Sequence, residues 1–145
     1  MKENLIRYVR SLSIGGVLLE QISNLYDQCQ SLVADAIEEI IVSEIIDKEG
    51  IKSYDLLYFF SNKYIIEIEN FVSQPEIWII NRINPSYVKF TSTDFNMVEA
   101  QASSRLAVTA MWGSSMGGFG MNPKAAGQNC LHVLAVMKRY VISAF

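Results

Sequence analysis

The sequence predicts an α+β fold in which N-terminal helices precede an antiparallel sheet and a C-terminal amphipathic helix packs on that sheet. Three observations indicate this order of elements. Apolar residues recur at helical spacing over residues 2–38, apolar and polar residues alternate over much of 51–112, and helical spacing returns after residue 122. Short turn sequences between the strand runs favour a meander of five to six strands. A chain of 145 residues suits one core, so we expect a single domain over residues 1–145.

Two helices are predicted at the N-terminus. A short helix that ends near Gly15-Gly16 carries its apolar residues at helical spacing: Leu5, Ile6, Val9 and Leu12. A longer helix, from about 17 to 38, carries a heptad seam: Leu18, Ile22, Leu25, Cys29, Leu32 and Ala36. The seam is shorter than a stand-alone coiled coil needs, so we favour packing on the rest of the domain. The alternative is an interface with a partner through Leu18, Ile22 and Leu25.

Residues 39–46 fit two descriptions. β-branched residues dominate the segment, which favours a strand, while the helical phase continues through Ile40 and Ile41. The sequence leaves helix and strand both open here, and it predicts a turn over residues 47–50.

Two hairpins and one further strand are predicted downstream, with strands at 51–60 and 64–70, at 76–80 and 87–92, and at 105–112. Within 64–70, Ile66 and Ile68 alternate with Glu67 and Glu69. We therefore expect one face of this sheet to be in water. Residues 94–103 lose the alternation and predict a loop with one helical turn.

The closing helix has two start signals. Asn122 is a good N-cap, and Pro123 suits the first helical position because its missing N–H costs nothing there. An apolar stripe then continues to Phe145. The order of helices, meander and closing helix resembles the plan of pleckstrin-homology-like split barrels, a likeness of fold that implies no function.

Composition narrows the classes of partner and location. A net charge of −3 and a pI near 5.1 argue against a nucleic-acid binder, which needs a basic face. Hydrophobic residues make up 50% of the chain and charged residues 19%, which leaves apolar surface for a protein partner or self-association. No run reaches the roughly 18 apolar residues of a membrane span. We expect a cytoplasmic protein in which Cys29 and Cys130 are buried thiols.

A glycine-rich stretch before the closing helix is the candidate ligand site. Glycines let backbone N–H groups approach an anion closely, and a helix start adds positive potential. The candidate anion ligands are Gly117, Gly118, Gly120, Asn122 and Lys124. The stretch matches neither phosphate-binding glycine motif, and a flexible connection explains its glycines equally well. Met116 and Phe119 are alternative contacts for a protein partner.

Candidates for catalysis are few. His132 is the single histidine and falls on the polar face of the predicted helix, which favours a solvated side chain. Glu67 and Glu69 would lie about 7 Å apart on one strand, a spacing that suits acid and base chemistry but is common on a wet sheet face. No metal or cofactor motif is present, so we expect none.

The sequence therefore favours a non-catalytic protein-interaction domain, either a small regulatory, adaptor or immunity-type partner or a self-associating subunit. The alternative is a domain that holds a phosphate or lipid headgroup at residues 113–124. A small hydrolase that uses a carboxylate pair is the third interpretation.

Overall fold

The predicted α+β class is confirmed. The structure, a computed structural model, describes residues 1–96, 98–113 and 118–142. Its helices are α1 (Lys2–Ser11), α2 (Gly16–Leu32) and α3 (Asn129–Met137), and a π-helical turn, Lys138–Ile142, continues α3. Its strands are β1 (Ile37–Ile46), β2 (Lys52–Ser61), β3 (Tyr64–Glu69), β4 (Glu76–Asn81), β5 (Tyr87–Phe95), β6 (Ala100–Trp112), β7 (Phe119–Met121) and β8 (Lys124–Ala126).

These elements form two units. Unit 1 contains Met1–Val42 and Leu56–Asn81, and unit 2 contains Ser43–Asp55 and Arg82–Phe145. The first sheet has the order β1-β2-β3-β4. The second has the order β5-β6-β7, with β8 also paired to β6. The described strands close no barrel, so they do not form the split barrel that the element order resembles. Whether the chain acts as the single predicted domain stays a prediction.

In unit 1, helices cover one face of the sheet. Tyr26 of α2 meets Phe59 of β2 edge-on, with ring centroids 5.9 Å apart. The seam residues Ile22, Leu25 and Cys29 are buried in the core of the chain. These three of the six predicted seam residues pack inside the chain, whereas Leu32 is 55% exposed and Ala36 lies beyond the helix.

Helix α2 ends at Leu32, six residues before the predicted end near residue 38. Gln30 is the reason, because its Oε1 accepts a hydrogen bond from the N–H of Ile37 at 2.9 Å and its Nε2 donates to the carbonyl of Asp35 at 2.9 Å. These bonds reverse the chain and start β1. The ambiguous segment 39–46 is therefore strand, as its β-branched residues favour.

In unit 2, α3 packs on β6 and β8. The predicted helix start at Asn122-Pro123 is wrong, since Lys124–Ala126 forms β8 and the helix begins at Asn129. Long-range pairing overrides the local signal there. The carbonyl of Pro123 accepts a hydrogen bond from the N–H of Val108 at 3.0 Å, and Lys124 of β8 pairs with Ala107 of β6.

The predicted loop over 94–103 is also wrong in part. Strand β5 runs to Phe95 and β6 begins at Ala100, with a register shift between Thr93 and Phe95. Asp94 has a positive φ of 51° at this register shift. The irregularity interrupts the apolar and polar alternation by which a strand is predicted from sequence. Among the described residues, no helix is both long and apolar enough to cross a bilayer.

Candidate functional site

Strand β4 is one of the two edges of the first sheet, and it carries an unbroken apolar run from Ile77 to Ile80. It pairs only with β3, from Tyr64 opposite Asn81 to Glu69 opposite Glu76, without a bulge. Within the described residues, the backbone of β4 has no other hydrogen-bond partner. The backbone N–H and C=O groups on the outer side of β4 are therefore uncapped by any residue that the structure describes.

The side chains of β4 are exposed on both faces. Trp78 is 51% exposed and Ile79 is 40% exposed, and successive strand residues point to opposite faces. Edge strands are usually protected by lysine, internal proline or a bulge. β4 has none of these, since Pro75 precedes it and its only charge, Glu76, lies at its start. We name Glu76–Asn81 with its uncapped backbone the β4 edge.

The interface residues predicted on α2 offer a partner little surface. Ile22 and Leu25 are buried, and Leu18 is half-buried. Phe119 is half-buried on β7, with its ring centroid 5.6 Å from that of Trp112. Met116 lies outside the described residues. A partner interface through the seam would need the core of unit 1 to open.

The residues predicted to bind an anion do not lie at a helix start. Gly118, Gly120 and Asn122 are exposed near β7, while Lys124 is half-buried in β8. Gly117 lies outside the described residues. The helix potential on which this prediction depended is therefore not available to these residues, and anion binding by the whole set stays an untested prediction.

Lys124 instead lines a cavity of about 210 Å³ in unit 2. Directly opposed residues of an antiparallel pair share a face, so the strand registers place two rows side by side on the second sheet. Thr93, Arg105 and Ala126 form one row, and Thr91, Ala107 and Lys124 form the next. Ala107, between Thr91 and Lys124 in the second row, contributes a small side chain to the cavity lining.

Two buried polar residues of β1 hold β8 beside this cavity. Ser43 Oγ accepts a hydrogen bond from Lys124 N–H at 2.9 Å, and Glu44 Oε1 accepts one from Ala126 N–H at 3.0 Å. Glu44 is only 3% exposed and also accepts from Asn129 Nδ2 at 3.1 Å. Its Oε2 forms an ion pair with Lys52 Nζ at 3.3 Å, without hydrogen-bond geometry.

The two thiols are protonated at neutral pH. Burial raises the pKa of Cys29 to about 11. Burial, with a smaller contribution from Glu44 and against the effect of Arg105, raises the pKa of Cys130 to about 11. A nucleophilic cysteine needs a lowered pKa, so neither residue has that character.

Of the predicted carboxylate pair, Glu67 lies in the interior. It is 6% exposed, and Tyr58 Oη donates a hydrogen bond to its Oε1 at 2.8 Å. The expected wet face is therefore wrong at Glu67, while Glu69 is half-buried. His132 is half-buried in α3 and has an interaction partner. Among the described residues, no group of three His, Cys, Asp or Glu converges to hold a metal.

Comparison of the chain with protein-family models, with curated proteins and with solved structures gives no match. Function is therefore inferred from the chain itself. Sequence reasoning found the β4 strand but not its position at the edge. The unbroken apolar run from residue 77 to 80 gave no signal of an edge, because such a run is expected of a strand covered on both faces.

Proposed function

We propose that this protein is a non-catalytic interaction domain that associates with a second copy of itself through the β4 edge. The observation that carries the proposal is an apolar edge strand with exposed side chains on both faces and unpaired backbone groups. An edge of this kind is a template for the addition of another strand. Backbone hydrogen bonds would supply affinity, and the side chains of Trp78 and Ile79 would supply contacts on the two faces.

The sequence of β4 favours its own copy as the partner. Two copies that pair antiparallel around a two-fold axis place either Trp78 or Ile79 opposite itself, and Glu76 then lies far from Glu76 of the partner copy. No like charges meet across the paired segment, while aromatic and β-branched residues form the cross-strand pairs that stabilise sheets. One six-residue strand buries less than the roughly 1,200 Å² of a standard interface, so we expect a weak, concentration-dependent dimer.

The test is the solution mass, measured by light scattering behind size exclusion over a wide range of concentrations. Ile79→Lys should weaken dimerisation at least about tenfold, because two lysines meet near the axis. Val98→Lys is the matched control, since Val98 is 82% exposed and lies outside every strand. A wild-type chain that stays monomeric at all concentrations would refute the proposal. An equal loss in both variants would refute it as well.

Cysteine cross-linking tests the pairing directly. The native Cys29 and Cys130 are fully buried, so a short bifunctional thiol reagent will react with an introduced cysteine. Trp78→Cys or Ile79→Cys should cross-link into dimers, and the wild-type chain should not. If neither variant cross-links, β4 does not pair with itself.

We further propose that the protein acts in the reducing cytoplasm. Two free, buried cysteines support this location, because chains of oxidising compartments more often pair their cysteines. Localisation of a tagged chain by microscopy or fractionation would test it, and recovery outside the cytoplasm would contradict it.

A further inference from the structure

We propose that the unit 2 cavity binds a small oxyanion, a phosphate or carboxylate group, between Lys124 and Arg105 of the sheet and the hydroxyl groups of Thr91 and Thr93. This site is independent of the β4 edge. It shares Lys124 with the glycine-rich stretch, but its other residues come from β5 and β6. The four side chains all line the same cavity of about 210 Å³.

Most of the polar donors that line this cavity have no partner among the described residues. Arg105 Nη1 donates to the carbonyls of Ala102 and Ser104 at 2.9 and 2.8 Å, which fixes one nitrogen of the guanidinium group. Among the described residues, its Nε and Nη2, the Lys124 ammonium group and both threonine hydroxyls have no hydrogen-bond or ion-pair partner. These are the donors that carboxylates and phosphates accept in proteins.

The charge balance also favours an anion. Glu44 is the acidic residue that lines the cavity, and its carboxylate already has Lys52, Ala126 and Asn129 as partners. The negative charge of Glu44 is therefore compensated by groups outside the cavity, and the positive charges of Lys124 and Arg105 stay unbalanced. A bound anion would neutralise them.

The dimensions limit the ligand to a small molecule. Pockets for drug-sized ligands measure about 300 to 1,000 Å³, so this cavity suits a ligand of fewer atoms. The alternate residues of one strand lie about 7 Å apart, so the two rows of side chains span one anionic group and a short neighbouring portion of its molecule. The small side chain of Ala107 leaves room between Thr91 and Lys124 in the second row.

The experiment is an NMR titration of the full chain with inorganic phosphate and, separately, with sodium acetate, each at constant ionic strength against sodium chloride. The amides of residues 91, 93, 105–107 and 124 should shift and saturate. A stronger response to phosphate would assign a phosphate-bearing ligand, and a stronger response to acetate would assign a carboxylate. If neither titration saturates beyond the chloride control, the proposal is refuted.

Matched variants locate the binding. Lys124→Met should lower affinity at least about tenfold, because it removes a charged donor and keeps the length of the side chain. Lys138→Met, an exposed lysine of the π-helical turn, should leave affinity unchanged. Equal affinities of the two variants would overturn the assignment.

A second variant tests shape without a change in charge. Ala107→Val adds two methyl groups to the floor of the cavity and is well tolerated in a strand, so the fold should persist while affinity falls several-fold. Unchanged binding in this variant would place the anion elsewhere. Neither Lys124→Met nor Ala107→Val should alter the solution mass. A failure of the anion proposal is therefore distinguishable from a failure of the proposal that the β4 edge forms a dimer.

Discussion

The two edges of the first sheet differ in how their backbones are capped. At β1, the helices supply acceptors: Gln30 of α2 takes the N–H of Ile37 at 2.9 Å, and the Tyr8 hydroxyl of α1 takes the N–H of Val42 at 3.2 Å. At β4, the described residues supply no such partner. Side-chain burial follows the same division, since Ile37 and Val42 are fully buried and no β4 side chain is.

An edge strand is therefore protected by its surroundings as much as by its own sequence. Both strands are rich in isoleucine and neither contains lysine or proline. Helices α1 and α2 bring polar groups to the first part of β1, which blocks the addition of another strand there. Among the residues that the structure describes, none caps the β4 backbone in this way, so the same kind of sequence becomes a candidate interface.

Loss of the cap at the start of β1 should have the largest effect. Gln30→Met leaves the Ile37 N–H and the Asp35 carbonyl without their side-chain partner, and we expect the free energy of unfolding to fall by about 2 kcal/mol. Urea denaturation measures this change. Gln28→Met on the exposed side of the same helix is the control and should stay within about 0.5 kcal/mol of wild type. Equal losses would show that the cap contributes nothing.

A smaller loss is expected at the other cap. Tyr8→Phe removes the hydroxyl that accepts the Val42 N–H, and one neutral hydrogen bond contributes about 1 kcal/mol. Tyr87→Phe is the control because Tyr87 is exposed and its hydroxyl has no partner among the described residues. If urea midpoints of the two variants coincide, Tyr8 is not a cap of β1.

The smallest effect concerns the turn that leads into β1. The Ser61 hydroxyl, with the N–H of Lys63, holds the pKa of Asp35 below its ordinary value of 3.8. A lowered folded-state pKa means that this contribution to stability is present above that value and is lost as pH falls through the folded-state pKa. Asp35→Asn should therefore show a shallower loss of stability on acidification below about pH 4 than wild type. Identical pH profiles of the urea midpoint would contradict this.

Local sequence patterns were sufficient to predict the elements that form from residues close in the chain. The spacing of Leu5 and Val9 predicts α1, and the turn at residues 61–63 predicts the hairpin of β2 and β3. These elements form from contacts between residues close in the chain, so periodicity and turn residues report them directly.

The candidate sites were less accessible. Lys124 was identified from its proximity to glycines and to a supposed helix start, whereas its neighbours in the cavity, Arg105 and Thr91, come from strands β6 and β5. Glu44 lies in the segment 39–46, for which the sequence leaves helix and strand both open, and it is a buried acceptor for β8. Register between distant strands decides both cases, and no local window contains it.

The α+β class, the helical N-terminus and the hairpin strands β2 and β3 follow from the amino-acid sequence, because side-chain periodicity and turn chemistry are properties of short segments. Three features depend on tertiary packing: Lys124–Ala126 is a strand, the start of β1 is capped by α2, and β4 is an edge strand that no described residue caps. A backbone hydrogen bond needs a partner, and which partner is present depends on how distant parts of the chain pack.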